Sequence, residues 1–124
     1  MHNKTIPYGK PFENDTYVAD YIQVDKIDSL FFMMFLSRSN PKTDPLVIWL
    51  QGGPGCSSEL GMFTENGPYN LEFDRLKNPA FNVTYNNYSW NNHANVLYLD
   101  QPLGTGFSHA SSLFSLRYTE LEIC

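Results

Sequence analysis

The chain has few basic residues and no long apolar segment. Lys and Arg number 8 against 13 Asp and Glu, and the formal net charge is -5. Nucleic-acid-binding surfaces need clusters of positive charge, so this composition argues against a nucleic-acid partner. No apolar run approaches the roughly 18 residues of a membrane span, so no membrane partner is expected. Residues 1–13 also lack the apolar core of a signal peptide, which makes the start look internal or incomplete.

Cysteine is scarce, and the sequence predicts neither a metal site nor a cofactor. Cys56 and Cys124 are the 2 cysteines, and such a pair cannot settle the redox compartment. Asn-x-Ser/Thr sequons occur at Asn3, Asn14, Asn82 and Asn87. These sequons fit a protein of the secretory pathway or the lysosome. We expect the sequon at Asn87 to be accidental, because the neighbouring Tyr88 and Trp90 are expected to pack inward.

The sequence is organised around residues 45–58, which read Pro-Leu-Val-Ile-Trp-Leu-Gln-Gly-Gly-Pro-Gly-Cys-Ser-Ser. The apolar run Leu46–Leu50 predicts a short strand that is buried on both faces in the middle of a parallel sheet. Gly52 and Gly53 then leave backbone N–H groups without side-chain cover, as an oxyanion hole requires. The alternative is an ordinary tight turn, which is the better interpretation of Gly-Gly-Pro-Gly taken by itself.

The residues before this stretch predict an antiparallel hairpin. Thr16–Val24 alternates well enough to form a strand. Leu30–Leu36 is a dense run of Phe, Met and Leu, which suits a strand covered on both faces. Residues 25–29 between them form the turn. Core packing is therefore the favoured role of the aromatic run, in preference to an exposed interaction surface.

The residues after it predict one helix and a second parallel strand. Ser57 or Ser58 can cap a helix that runs to about Glu65 and crosses over to the next strand. Residues 69–92 show no clean period and are rich in Asn, Pro and Tyr, which predicts a wrapped loop. Asn95–Leu99 is the next buried strand. The fold class is α/β, with an antiparallel hairpin followed by parallel strands.

Two long motifs carry a family resemblance. The first spans residues 49–58, and the second, Asp-Gln-Pro-Leu-Gly-Thr-Gly-Phe-Ser, spans residues 100–108. Together they closely resemble the serine carboxypeptidase family, over a region from about Tyr17 to His109. The resemblance implies the α/β-hydrolase fold. It also implies a division into residues 1–109, the N-terminal portion of that domain, and residues 110–124, a divergent tail that does not match the family.

The resemblance implies a role for each residue at the glycine loop. The Gly53 N–H is expected to stabilise the tetrahedral oxyanion, and Gly52 allows the close approach. The preceding residue, Asn in most members and Gln51 here, is expected to hold the free C-terminal carboxylate of a peptide substrate together with Glu65. Because Gln51 is one methylene longer than Asn, its amide donor moves by roughly an ångström, which can alter carboxylate binding.

Further expectations follow from the same resemblance. Leu60 and Thr64 match positions that line the pocket for the leaving residue. A carboxyl group can donate to a second carboxylate only when protonated, so the implied site favours acidic pH. A lysosomal, vacuolar or secreted location fits that preference. Cys56 is implied to belong to a disulfide whose family partner is absent here, and Cys124 is a doubtful replacement.

No catalytic triad can be assigned in this sequence. The nucleophile elbow Gly-x-Ser-x-Gly does not occur in it, and α/β-hydrolases place their Asp and His after that Ser in chain order. Ser57 and Ser58 are interpreted as helix caps in preference to nucleophiles. His93 and His109 have no recognisable nucleophile partner and stay unassigned.

Three functions remain open at this point. The first is a serine carboxypeptidase that releases C-terminal amino acids through an acyl-enzyme, truncated here before its triad and therefore inactive alone. The second is an acyltransferase built on the same scaffold. The third is a non-catalytic fragment with a binding or regulatory role.

Overall fold

The structure is a computed structural model that describes residues 12, 14–73 and 81–111. In chain order its elements are β1 (Tyr17–Gln23), β2 (Ser29–Phe35), β3 (Leu46–Leu50), α1 (Ser58–Thr64), β4 (Tyr69–Phe73), β5 (Phe81–Tyr85), a 3₁₀ helix (Trp90–Asn92) and β6 (Asn95–Leu99). The divergent tail predicted for residues 110–124 lies almost wholly outside the described residues.

The hairpin prediction is confirmed. β1 and β2 pair antiparallel, with Tyr17 opposite Phe35 at one end and Gln23 opposite Ser29 at the other. Asp25 stabilises the turn, because its Oδ1 accepts from the backbone N–H groups of Ile27 and Asp28, each at 2.8 Å. A short Asp side chain that bonds the backbone just beyond it is a common way to close such a turn.

The main sheet has the strand order β1-β2-β6-β3. β6 pairs antiparallel with β2 and parallel with β3, so the hairpin is followed by a parallel pair as the sequence predicts. The connection between β3 and β6 contains α1, and parallel neighbours need a crossover of this kind. The carboxyl ends of β3 and β6 therefore lie side by side and deliver the glycine loop and Asp100 to the same edge of the sheet.

The predicted burial of β3 on both faces is wrong. In the described part of the chain β3 is an edge strand, paired only with β6. Leu46, Ile48 and Leu50 point away from α1 and are 57%, 57% and 51% exposed. The prediction of two-sided cover for β2 is also wrong, because among its residues Phe35 alone is fully buried. The cause in both cases is that α1 covers one face of the sheet, and no described helix covers the other.

The core lies between that covered face and α1. In the described part of the chain its main cluster has seven buried side chains: Tyr17, Phe35, Met62, Tyr69, Ala94, Val96 and Tyr98. Phe12 adds aromatic contacts to it, with its ring centroid 5.0 Å from that of Tyr69 and 5.5 Å from that of Tyr17. Arg38 donates to Asp15 through Nε at 2.7 Å and Nη2 at 2.9 Å, which fastens the start of β1 to the loop after β2.

The wrapped loop predicted for residues 69–92 is in part a second sheet. β4 and β5 pair antiparallel, from Tyr69 opposite Tyr85 to Phe73 opposite Phe81. The loop prediction failed because these two strands are stabilised by pairing with each other, and neither sequence shows a clear alternation of apolar and polar residues. The expected inward packing beside Asn87 is also wrong, since Tyr88 is 91% exposed and Trp90 is 49% exposed.

Candidate active-site half

The glycine loop follows β3 and leaves a backbone donor free. Gly53 has φ 143° and Gly55 has φ 96°, which are values that L side chains rarely adopt. Among the described residues the Gly53 N–H has no hydrogen-bond acceptor. A Cβ at Gly53 would lie 3.2 Å from both the backbone N and the Sγ of Cys56. A side chain at position 53 would therefore crowd Cys56 and strain the turn, whereas glycine allows the turn that exposes this N–H.

Ser58 joins this loop to the ends of both parallel strands. Its fully buried hydroxyl donates to the Leu99 carbonyl at 2.5 Å and accepts from the Gln51 N–H at 3.1 Å. Its own N–H donates to Asp100 Oδ1 at 2.7 Å. Ser57 is the N-cap of α1 and accepts from the Glu59 N–H at 3.3 Å. The cap interpretation is thus confirmed for Ser57, and Ser58 ties the two strand ends together.

Gln51 and Glu65 are brought together as the resemblance implies. Gln51 Nε2 donates to Glu65 Oε1 at 3.2 Å, and Trp49 Nε1 donates to Gln51 Oε1 at 2.9 Å. The indole donor fixes which end of the Gln51 amide faces Glu65, because an indole N–H can only donate. A Cβ at Gly61 would lie 2.6 Å from Gln51 Oε1, so the residue on α1 that faces this contact must be very small.

Leu60 and Thr64 lie one turn apart on the exposed side of α1. Leu60 is 50% exposed, and Thr64 Oγ1 donates to the Leu60 carbonyl at 2.7 Å. The helix ends directly after Thr64, where the Glu65 N–H donates to the Gly61 carbonyl at 2.9 Å. The loop, Gln51, Glu65 and this exposed helix side therefore share one region of the surface.

Two cavities lie away from the glycine loop. One of about 440 Å³ is lined by Val47, Trp90 and His93 among others, and one of about 320 Å³ lies beside Asp15 and Arg38. Neither reaches Gly52 or Gly53, which are both exposed.

A pair of acidic side chains that the sequence pattern does not predict lies behind the loop. Asp100 is fully buried, and its two carboxylate oxygens accept from the backbone N–H groups of Ser58 at 2.7 Å and Phe107 at 2.9 Å. Glu59 lies against it. Burial raises the pKa of Glu59 to about 7, and the neighbouring Asp100 carboxylate acts in the same direction against a hydrogen bond from Ser57. The sequence places Glu59 in the first turn of a helix, and nothing there signals its burial.

The residues left unassigned do not complete a triad. His93 ends the 3₁₀ helix and faces a cavity, and His109 forms a backbone bridge to Ser29. In the described part of the chain neither imidazole bonds a Ser or Cys side chain. Cys56 is exposed and carries a free thiol there, whereas Cys124 lies outside the described residues.

The fold and the loop define a class of protein. An antiparallel hairpin, a parallel pair joined by a helix, and a glycine loop at the carboxyl end of the first parallel strand form the N-terminal part of an α/β-hydrolase. The family model described as Serine carboxypeptidase matches residues 7–122. The chain belongs to the serine carboxypeptidase family.

Individual relatives agree with this membership. The chain is 45% identical over 100 residues to Serine carboxypeptidase-like 16 of Arabidopsis thaliana, covering 81% of this chain and 23% of that protein. It is 48% identical over 89 residues to Carboxypeptidase Y of Schizosaccharomyces pombe, covering 72% of this chain and 8% of that protein. Among solved structures, Kex1(delta)p, a prohormone-processing carboxypeptidase from Saccharomyces cerevisiae, matches with TM-score 0.61 and 35% identity over 77% of this chain and 21% of that one.

The chain therefore spans less than a quarter of the length of these relatives. The family match extends to residue 122, past the two motifs quoted above. Because the structure describes the chain only as far as residue 111, the division at residue 109 stays a prediction. No helix in the described ranges is both long and apolar enough to cross a membrane.

Proposed function

We propose that the protein acts as a serine carboxypeptidase and that residues 45–65 form the half of its site that receives the substrate. The observation that carries this proposal is the contact of 3.2 Å between Gln51 Nε2 and Glu65 Oε1, two residues before a Gly53 N–H that has no acceptor among the described residues. A carboxylate-binding group and an oxyanion donor at one strand end suit cleavage next to a free C-terminus. The substrate class is thus a peptide with a free C-terminal carboxylate.

The Gly53 N–H serves the chemical step. Attack on the scissile carbonyl places negative charge on its oxygen, and a backbone donor already in position stabilises that charge without reorganising. Removing one such donor typically costs about 2.7–4 kcal/mol of transition-state stabilisation. In α/β-hydrolases the other donor is the N–H after the nucleophile, which the elbow absent from this sequence would supply.

Gln51 and Glu65 serve recognition of the substrate carboxylate. The Gln51 Nε2 donor faces outward to Glu65, so a substrate carboxylate can replace Glu65 as its acceptor. A protonated Glu65 can then donate to the second oxygen of that carboxylate, whereas an ionised one repels it. A lysosomal, vacuolar or extracellular location, which the family resemblance implies, belongs to this proposal.

Leu60 and Thr64 contact the side chain of the leaving residue in this proposal. Both are on the exposed side of α1 that continues into Glu65. A peptide whose terminal carboxylate reaches Gln51 would lay its last side chain along this helix. The short Thr64 side chain leaves room there for a large residue.

The test compares an N-blocked dipeptide acid with its C-terminal amide, bound to the isotope-labelled 124-residue chain at pH 5. We expect the acid, and not the amide, to shift the NMR signals of the Gln51 side-chain amide and the Gly53 N–H. The variant Gln51→Leu should abolish these shifts, and Gln51→Asn should retain them. Gln23→Leu, which removes an exposed amide that bonds only the turn between β1 and β2, is the matched control. Equal shifts with acid and amide would refute carboxylate recognition.

The second candidate is acyl transfer to an acceptor other than water. It is favoured by Gln51 standing where the resemblance implies Asn, since a displaced amide donor weakens selection for a free carboxylate. Both reactions use the Gly53 donor in the same way. A longer form of the protein that includes the nucleophile elbow should partition an acyl-enzyme between water and an added alcohol. A product ratio set only by the alcohol concentration, with no saturable acceptor binding, would exclude a dedicated transferase.

A further inference from the structure

The carboxyl groups of Glu59 and Asp100 lie in contact at the start of α1, where the N–H of the neighbouring Ser58 donates to Asp100 Oδ1 at 2.7 Å. Glu59 is 9% exposed and Asp100 is fully buried. Two ionised carboxylates in contact, away from water, repel each other strongly. The groups that act on Glu59 are the Ser57 hydroxyl, its own backbone and Asp100, and no described Lys, Arg or His offsets its charge. The pair therefore keeps one proton to a higher pH than a separate carboxyl would.

The hydrogen bonds show which of the two keeps it. Both oxygens of Asp100 accept a backbone N–H, and such donors favour the ionised form. Glu59 has one oxygen that accepts from the Ser57 hydroxyl, and its other oxygen, Oε1, is buried with no partner among the described residues. A proton on Glu59 would give that carboxyl a donor for Asp100. The negative charge thus belongs on Asp100 and the proton on Glu59.

We propose that Glu59 is a neutral carboxylic acid that donates to the Asp100 carboxylate, and that this shared proton positions the start of α1 and the glycine loop. Glu59 is in this sense a positioning residue and touches no substrate. Its ionisation places a second negative charge beside Asp100 and loosens the junction. The shared proton does not depend on the proposed function, whereas its consequence for the oxyanion donor does.

The junction connects directly to the loop. Asp100 holds the Ser58 N–H, and the Ser58 hydroxyl holds the Gln51 N–H at the end of β3. The glycine loop is the segment between Gln51 and Ser58, so both of its ends depend on Ser58. There is no spare room at the other side of Asp100, because a Cβ at Gly106 would lie 3.0 Å from Asp100 Oδ1. Displacing Asp100 or Ser58 therefore moves the Gly53 N–H.

The test is an NMR titration of the labelled 124-residue chain from pH 3 to pH 9. We expect one Glu carboxyl carbon to titrate with a midpoint near 7 instead of the ordinary 4.5. That signal should be missing in Glu59→Gln, whose amide still donates to Asp100 but does not titrate. The backbone N–H signals of Ser58 and Phe107 should follow the same midpoint in the unchanged chain and stay at their acidic positions in the variant. Glu72→Gln, at an exposed acid of β4, is the matched control.

Each outcome decides the proposal. The shared proton would be overturned if Glu59 titrated with a midpoint near 4.5, as exposed acids do. It would also be overturned if the Ser58 and Phe107 signals still titrated near 7 in Glu59→Gln. If those two signals move and the Gly53 N–H does not, the positioning role fails while the shared proton stands. No substrate is present in this titration, so failure of the proposed carboxypeptidase function would leave its result unchanged and would appear only in the dipeptide experiment.

Discussion

Gly61→Ala is expected to displace the groups that receive the substrate carboxylate. The added Cβ would lie 2.6 Å from Gln51 Oε1 and 2.9 Å from Trp49 Cε2, where ordinary contacts are 3.4–4 Å. The Gln51 amide and the indole must therefore move by about 1 Å to relieve the overlap, a misplacement large enough to matter for binding.

The magnitude follows from opposing effects. Overpacking a close contact costs about 1–3 kcal/mol, and loss of the Trp49–Gln51 hydrogen bond costs about 1 kcal/mol more. Replacing Gly by Ala inside a helix returns about 1 kcal/mol. We expect a net destabilisation of about 1–3 kcal/mol, together with loss of the contact between Gln51 and Glu65.

The assay is urea denaturation followed by tryptophan fluorescence, together with the NMR signal of the Trp49 indole N–H. Gly52→Ala is the structural control, because a Cβ there has no atom within 4 Å and φ lies outside the left-handed region. Gly61→Ala should lower the urea midpoint and shift the indole signal, and Gly52→Ala should do neither. A Gly61→Ala chain with an unchanged indole signal and raised stability would show that helix propensity dominates and that the reasoning is wrong.

Three further predictions can be tested on the same chain. Ser58→Ala removes the acceptor of the Gln51 N–H and the donor to Leu99, so it should lower the free energy of unfolding in urea by about 2–4 kcal/mol. The control Ser39→Ala, at an exposed site, should lower it by less than about 0.5 kcal/mol. Equal losses in the two variants would refute the role of Ser58. Because the folded-state pKa of Glu59 is raised, its contribution to stability is complete below pH 4.5 and is lost as pH rises to about 7. The loss should be no more than about 3 kcal/mol. A urea midpoint that stays level or rises over this pH range would contradict the prediction. Expressed behind a secretory leader, the chain should carry a glycan at Asn87, which lies in an exposed turn. Without endoglycosidase treatment the parent chain should then migrate more slowly on a gel than Asn87→Gln, and after treatment the difference should disappear. Equal mobility of the two untreated chains would argue against a glycan at Asn87.

The elements near the glycine loop could be predicted from the sequence because their signals are local. The hairpin strands, the cap at Ser57, the short helix and β6 all follow from residue patterns within a few positions of each other. The contact between Gln51 and Glu65 required the family resemblance, since 14 residues separate them and no pattern links the two. The structure shows the contact itself, and the role of the two residues in binding a substrate stays a prediction.

The failures have a common physical cause. Burial of Leu46–Leu50 on both faces, the loop at residues 69–92 and the environment of Glu59 all depend on what packs against a segment from a distance. An apolar run predicts a strand, but which strand becomes its neighbour and which face meets a helix are decided by the whole sheet. In the same way β4 and β5 stabilise each other across the chain, and neither one predicts the pairing by itself.

Asp15 and Glu59 set opposite limits on the pH at which this structure is most stable. Burial opposes ionisation of Asp15, but hydrogen bonds from Arg38, Asn91 and Tyr69 prevail and lower its pKa below 3.8. The contribution of Asp15 to stability is therefore present above pH 3.8, and it is lost as pH falls through the lowered pKa of the folded state. Glu59 acts in the reverse sense, since its pKa is raised and stability declines between 4.5 and about 7. The two groups together contribute most to stability at mildly acidic pH.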